Sequence, residues 1–384
     1  MLEVRSDIFE VIDFLPLAIN YTYVIGKVIY IACTLPKLKI LLMKIKVHWA
    51  SPKTDEETII LRSYATYGRK FSYVLTVVTY GHAGAWLFAH LLEKLTYIES
   101  KSNGTIFGPQ PVVTYGHAGA WLFAHLLEKL TYIESKSNGT SETLDSQVGL
   151  PFRVNYFVDI NTYYALIFLH TVINEVLYLN FVCAVDVLYL TFVEYYCGLL
   201  AALSCIMENA HNLKGGVDDP LKHVTKNGKS YSIVVYSIQR HTEAIQFIDI
   251  LESLYRLPLF IHMGCIMLMI SIIGFQAITY VDDLNRLSQS CVYLSVCLIG
   301  TFFENWQGQK VIDSNEKLYH SIYNMKWYEM SCAAKKLVIL IMLRSLRPTQ
   351  ITAGQIIVMS YENFSAVIRM SSSYFMLLRS MQTM

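Results

Sequence analysis

The sequence predicts an all-α protein that crosses a membrane several times. Three observations lead there. Of 384 residues, 54% are apolar and only 16% charged, against about 25% charged in an ordinary soluble domain. The apolar residues are gathered into runs long enough to cross a bilayer, about 20 residues each. The lysines and arginines are gathered into the segments between those runs. Thirty-one basic residues against 30 acidic ones leave no basic field, so nucleic acid is not an expected partner.

The spans follow in order. Residues 14–36 form the first, with Lys27 as its sole charge, and 71–92 the second, with none. Residues 154–213 contain no lysine or arginine; the span proper is placed at 163–190 and is expected to continue as one long helix into the cytoplasm, with Gly198 as the first residue that could break it. Between Lys229 and Leu257, Val234, Ile238, Ile245, Ile248, Leu251 and Tyr255 recur at helical spacing, which predicts an amphipathic cytoplasmic helix over 230–257. Residues 258–281 are the cleanest span, with His262 as the one group that ionises near neutral pH; 287–303 is short and uncharged; 351–378 is long and polar.

Loop charge orients these elements. Segment 34–70 carries eight basic residues against three acidic, and 304–347 seven against four. Both are expected in the cytoplasm, and the C-terminus outside. The sequons at Asn103 and Asn138 fall on the expected outer side, whereas those at Asn20 and Asn363 fall in spans. No secretory signal is visible, because the first apolar run holds a lysine and no cleavage site follows.

Residues 77–105 recur without a change at 112–140. Solenoid repeats share a pattern and not 29 consecutive identities. Either the segment was recently duplicated or the sequence was misassembled. The first copy can span because 71–76 extend it. The second, over 112–130, stands behind Pro109 and Pro111 and is too short, so it is expected outside as a hairpin or interfacial segment.

Polar residues inside apolar runs are the candidates for function. Glu175 and Asp186 share a helical face and read either as an ion or ligand contact or as a helix–helix hydrogen bond. Glu362 and Arg369, seven residues apart on the last span beside several serines, cannot face lipid. They read as a pore or assembly face, with a structural ion pair as the alternative. The eight cysteines form no C-x-x-C pair and read as small core residues. No zinc, nucleophile, phosphate-loop or dinucleotide pattern occurs, so neither an enzyme nor a cofactor is expected.

With these residues in view, the chain resembles the insect odorant receptors. The resemblance rests on Tyr323, Trp327-Tyr328, Lys335-Lys336, Arg344 and Pro348, then Thr352-Ala-Gly354 and Ser373-Tyr-Phe375, in the C-terminal third. Upstream it rests on Phe157-Val-Asp159, Tyr163-Tyr164, His170, Asp186 and Cys197-Gly198, on Gln239-Arg-His241 with Leu251-Glu252, and on Trp49, Glu57, Tyr64-Ala65 and Gly68-Arg69. It implies a seven-helix bundle, of which about six spans are present with a duplicated third-helix segment, and a missing first helix. It further implies a tuning subunit of an odorant-gated cation channel, hetero-tetrameric with an obligate co-receptor, in the plasma membrane of the olfactory neuron's dendrite. A volatile small molecule is the expected ligand, in a pocket lined by Trp86, Phe88, Tyr163, Tyr164, Phe168, Thr171 and Tyr293. The pore helix would carry Glu362, Arg369 and Tyr374, with a gate at Leu377 and Met381. A gustatory receptor of the same superfamily, or a non-functional truncated product, is the alternative. A G-protein-coupled receptor would need a cytoplasmic C-terminus, and a transporter inverted repeats.

Overall fold

The computed structural model describes residues 2–51, 53–102, 160–209, 226–281, 284–347 and 349–383. Among them the chain is helical almost throughout: α1 (Leu2–Cys33), α2 (Leu35–Ala50), α3 (Asp55–Ser102), α4 (Ile160–Asn209), α5 (Lys226–Thr279), α6 (Leu284–Asn324), α7 (Cys332–Ser345) and α8 (Tyr361–Thr383). A single 3-10 turn at Trp327–Glu329 precedes α7, and a two-stranded hairpin, β1 (Thr352–Ala353) and β2 (Ile357–Val358), precedes α8. The second copy of the repeat, with Asn103 and Asn138, lies outside the described residues.

Local chemistry sets the ends. Thr54 Oγ1 accepts the Glu57 amide at 3.2 Å and three acids fill the first turn of α3, which suits the positive end of a helix dipole. Ser331 caps α7 by accepting the Ala334 amide. Pro36 opens α2, where its missing N–H costs nothing.

Several helices run on where the sequence predicts a boundary. The expected cytoplasmic helix 230–257 and span 258–281 are one element, α5, with Pro258 inside it. Proline removes one hydrogen bond, but Leu251, Leu254 and Tyr255 before it and Leu259 and Met263 after it are all buried, and that packing holds the axis. α4 likewise continues through Gly198. That glycine is a contact point, not a breaker: a Cβ there would stand 3.2 Å from Cβ of Tyr64 on α3. α6 continues past 303 for another 21 residues, so much of the expected 304–347 loop is helix. The last helix starts at Tyr361, ten residues later than expected, because Gly354 and Gln355 both have positive φ and turn the chain into the hairpin first.

The chain forms two compact units. One comprises residues 71–187 and 280–289. Within it α3 and α4 run antiparallel, Thr76 Oγ1 meeting Cys183 Sγ at 3.4 Å and Tyr80 donating to Asn180 at 2.6 Å. The other comprises 1–70, 188–279 and 290–384. Its core is built from the far end of α4 (Phe192, Tyr196, Leu200, Leu203, Met207), from Phe247, Ile248 and Leu251 of α5, from Val311, Leu318 and Ile322 of α6 and from Val338 of α7. α1, α2, α7, α8 and the hairpin all pack on α5.

Burial and hydrophobicity therefore part company. Leu166, Leu177, Leu268 and Ile299, in the apolar runs, are more than half exposed, while the segments adjoining the charged stretches hold the closest packing. Lipid supplies the apolar environment for the former. The same reasoning corrects the cysteines: Cys183, Cys197 and Cys297 are buried, but Cys33, Cys291 and Cys332 are exposed. Among the described residues two helices are long and apolar enough to cross a membrane, Val176–Asn209 and Ser230–Thr279.

Candidate functional site

The last helix has two unlike faces. Ser360 begins it, its hydroxyl accepting the Asn363 amide at 3.3 Å. Asn363, Val367 and Ser371 then recur every fourth residue as a buried stripe, as helical periodicity requires. Asn363 donates to Asn305 Oδ1 of α6 at 2.8 Å and to Met263 Sδ of α5 at 3.7 Å. Lower down, Ser271 of α5 donates to the Ser371 carbonyl at 3.0 Å. Gly274 lets the Phe375 ring approach to where a Cβ would stand 3.5 Å from it.

The opposite face, with Glu362, Ser365, Arg369, Ser372 and Ser373, is exposed. Tyr374, Leu377 and Met381 are exposed as well, near the end of the helix and on the side of Asn363 by helical angle. Glu362 and Arg369 make no ion pair with each other among the described residues. Seven residues of helix separate them by about 10 Å, so the ion-pair alternative has no geometric support.

The hairpin fixes where this helix starts. Thr352 donates its hydroxyl to the Glu252 carboxylate, and the Gly354 amide donates to the Arg256 carbonyl at 2.9 Å, both on α5. Gly354 has φ +65°, and a Cβ there would also collide with Phe260 at 2.7 Å. On α6, Gly308 admits the Met359 carbonyl, which would lie 2.2 Å from an added Cβ. α8 is thus held to α5 and α6 by backbone contacts as well as side chains.

One residue before Asn305, Glu304 enters a second polar group. Its carboxylate is 2.7 Å from Nδ1 of His262, whose ring stacks on Tyr23 at 4.8 Å. Lys27 is buried and lies 5.5 Å over the same Tyr23 ring. The lone charge of the first predicted span and the lone histidine of the 258–281 span therefore meet at one tyrosine ring, and the histidine reaches a carboxylate just past the 287–303 span. Sequence reading noted Lys27 and His262 separately and did not join them. It also passed over Asn305 and Gly308, and took Asn363 only as a sequon; a glutamate–asparagine pair at the end of an apolar run was the available signal.

Toward the expected cytoplasmic side, Lys310 pairs with the buried Glu194 carboxylate and lies over the rings of Tyr67 and Trp306. Burial raises the Glu194 pKa, only partly opposed by Lys310. Glu57 is held low: burial works against its charge, but the His48 ring 3.5 Å from its carboxylate and the field of Arg240 outweigh it. His241 is pushed down to about 4 by burial and then by Arg344.

Of the predicted ligand residues, Tyr163 is exposed on α4, and Tyr293, half-buried on α6, accepts a hydrogen bond from Asn20 at 3.1 Å. Trp86 and Phe88 lie on α3, and Tyr164, Phe168 and Thr171 on α4, but their side chains lie outside the described residues, as does that of Glu175.

A family model described as 7tm odorant receptor matches residues 119–372, two thirds of the chain. The chain belongs to the odorant receptor family. It is 25% identical over 180 residues to odorant receptor 10 of Aedes albopictus, covering 47% of this chain and 46% of that one. It is 24% identical over 148 residues to the odorant receptor coreceptor of Aedes aegypti, covering 38% and 31%. The chain spans about half the length, or less, of the curated relatives it matches. The fold is that of the olfactory receptor OR5 from Machilis hrabei, solved in complex with eugenol: TM-score 0.66 at 11% identity, over 96% of this chain and 81% of that one. The protein is accordingly an all-α odorant-receptor-like membrane protein, of a receptor family and not an enzyme. The matched stretch begins at Gly119, inside the second copy of the repeat.

Proposed function

We propose that this odorant receptor chain is the tuning subunit of a ligand-gated cation channel assembled with the odorant receptor co-receptor, and that α8 lines its conduction path. The observation that carries this reading is the asymmetry of α8. One face is fastened to α5 and α6 through Asn363, Ser371 and Phe375. The other presents Glu362, Arg369 and a row of serines, which lipid would not tolerate and which water or neighbouring subunits would satisfy. Leu377 and Met381, one turn apart at its end, form the gate.

The ligand is a small volatile molecule, held by Trp86, Phe88, Tyr163, Tyr164, Phe168, Thr171 and Tyr293; aromatic walls with a few hydroxyls suit such a guest. The co-receptor likeness and the eugenol complex of a similarly folded receptor support this reading. The site of action is the plasma membrane of the sensory dendrite, with 34–70 and 304–347 in the cytoplasm. Co-expression with the co-receptor and recording of current across a panel of volatiles tests the proposal. Current evoked only when both chains are present supports it. Ligand-evoked current from neither combination would overturn it.

A further inference from the structure

Two contacts of α6 with its neighbours lie along one line of the helix. Tyr293 accepts the Asn20 amide of α1 at 3.1 Å, and Glu304 meets Nδ1 of His262 on α5 at 2.7 Å. Eleven residues separate them, about 16 Å along the axis but only about 20° around it. α1 presents a line of its own. Asn20, Tyr23 and Lys27, at spacings of three and four, share a face; Tyr23 stacks on the same His262 ring at 4.8 Å, and Lys27 stands over Tyr23. The next residue of α6, Asn305, points about 100° further round the helix. There it accepts both the Asn363 side-chain amide and the Ser360 backbone amide at the start of α8. One helix thus touches the proposed ligand wall at Tyr293, grips α5 at Glu304 and holds α8 at Asn305.

Glu304 is buried. A buried carboxylate is a weak means of gaining stability, because apolar residues of the same volume serve as well. It is a strong means of fixing register. An ionised carboxylate can only accept hydrogen bonds, so α6 cannot slide or turn against α5 without leaving that charge away from the His262 donor. The contact is therefore either made or broken, with little between. Energetic coupling between two distant sites travels through elements of that kind, which have discrete arrangements.

We propose that Glu304 is a positioning residue for gating. Through His262 it sets where α6 stands on α5, and so passes ligand occupancy at Tyr293 on to the α8 anchor at Asn305. The proposal rests on the channel reading above.

Dose–response recording of the full-length chain with the co-receptor, over the panel of volatiles, tests it, with surface labelling of each variant alongside. Glu304→Gln is expected to raise the half-maximal concentration of every active volatile by one common factor, about tenfold, and to leave their rank order intact. His262→Gln is expected to do the same, and the double variant to add nothing further, since the two side chains form one device. A merely structural role would lower surface number and maximal current without moving the half-maximal concentration. Tyr23→Leu keeps the carboxylate paired and removes only the ring stacked on His262. A smaller common shift, on the order of threefold, is expected there, and this variant decides the matter should the other two not reach the surface. Unmoved half-maximal concentrations in variants that reach the surface would overturn the proposal, as would additive shifts in the double variant. A reordered ranking would overturn it too, by making Glu304 a ligand contact. A wild type silent to the panel with the co-receptor would instead overturn the channel reading itself.

Discussion

Asn363 on the last helix donates its amide to Asn305 on α6 across 2.8 Å, with both side chains buried. Asn305 also accepts the Ser360 backbone amide at 3.3 Å, so one side chain satisfies two donors at the start of α8. A buried amide left alone costs about 1–3 kcal/mol. Asn305→Ala is therefore expected to lower the melting temperature of the purified protein by several degrees, and Asn363→Ala to add little once Asn305 is gone. Additive losses in the double variant would show that the two residues act independently.

Gly308 is expected to be intolerant of any side chain. Its neighbour is the Met359 carbonyl, a backbone group that cannot swing aside. Gly308→Ala should cost at least the 1–3 kcal/mol typical of overpacking, read as reduced yield and a lower melting temperature. Gly300→Ala, where nothing lies within 4 Å, should be nearly silent in the same assay.

Stability should fall in mild acid through His241. Its folded pKa of about 4 lies below the ordinary value of 6.5, so the unfolded chain binds the extra proton first. The contribution is intact above about pH 6.5 and is lost as pH falls toward 4, by up to about 3 kcal/mol. Melting temperatures of the wild type and His241→Gln, measured from pH 7.5 to 4.5, should converge as the pH drops. Parallel curves would exclude His241 as the cause.

Replacement of Glu362 by Gln should change conductance, ion selectivity or surface assembly of the co-receptor complex, since the carboxylate sits on an exposed face of α8. Single-channel recording with a cation-substitution series and a surface-labelling assay reads all three. A variant identical to wild type in each would leave the pore reading without its principal residue.

Exchange of Tyr164 and Phe168 for leucine should reorder the potencies of active volatiles without reducing surface expression. An unchanged ranking would move the ligand away from this part of α4.

How far the chain could be read beforehand depended on which force shapes each part. Long apolar runs such as Pro258–Thr279 announce themselves, because their length answers to bilayer thickness alone. The boundary between Leu257 and Pro258 was legible as a change of composition but is no change of structure, since packing carries α5 through the proline. The start of α8 was hidden because two consecutive positive φ angles, at Gly354 and Gln355, leave only one glycine as a trace in the sequence. The exposed face with Glu362 and Arg369 was visible from spacing. Its fastening through Asn305 and Gly308 was not, since which helices face one another is decided by tertiary packing and not by period.

α4 spans some 75 Å as one uninterrupted rod. Its last twenty residues are gripped by the core, whereas Leu166, Leu169, Ile173 and Leu177 on the earlier stretch stand open. Amide hydrogen exchange along this single helix should therefore answer to two different shields, lipid on the earlier stretch and packed side chains on the later one. Removal of lipid should strip the first shield and leave the second, so that protection at Tyr196 and Leu200 outlasts that at Tyr163.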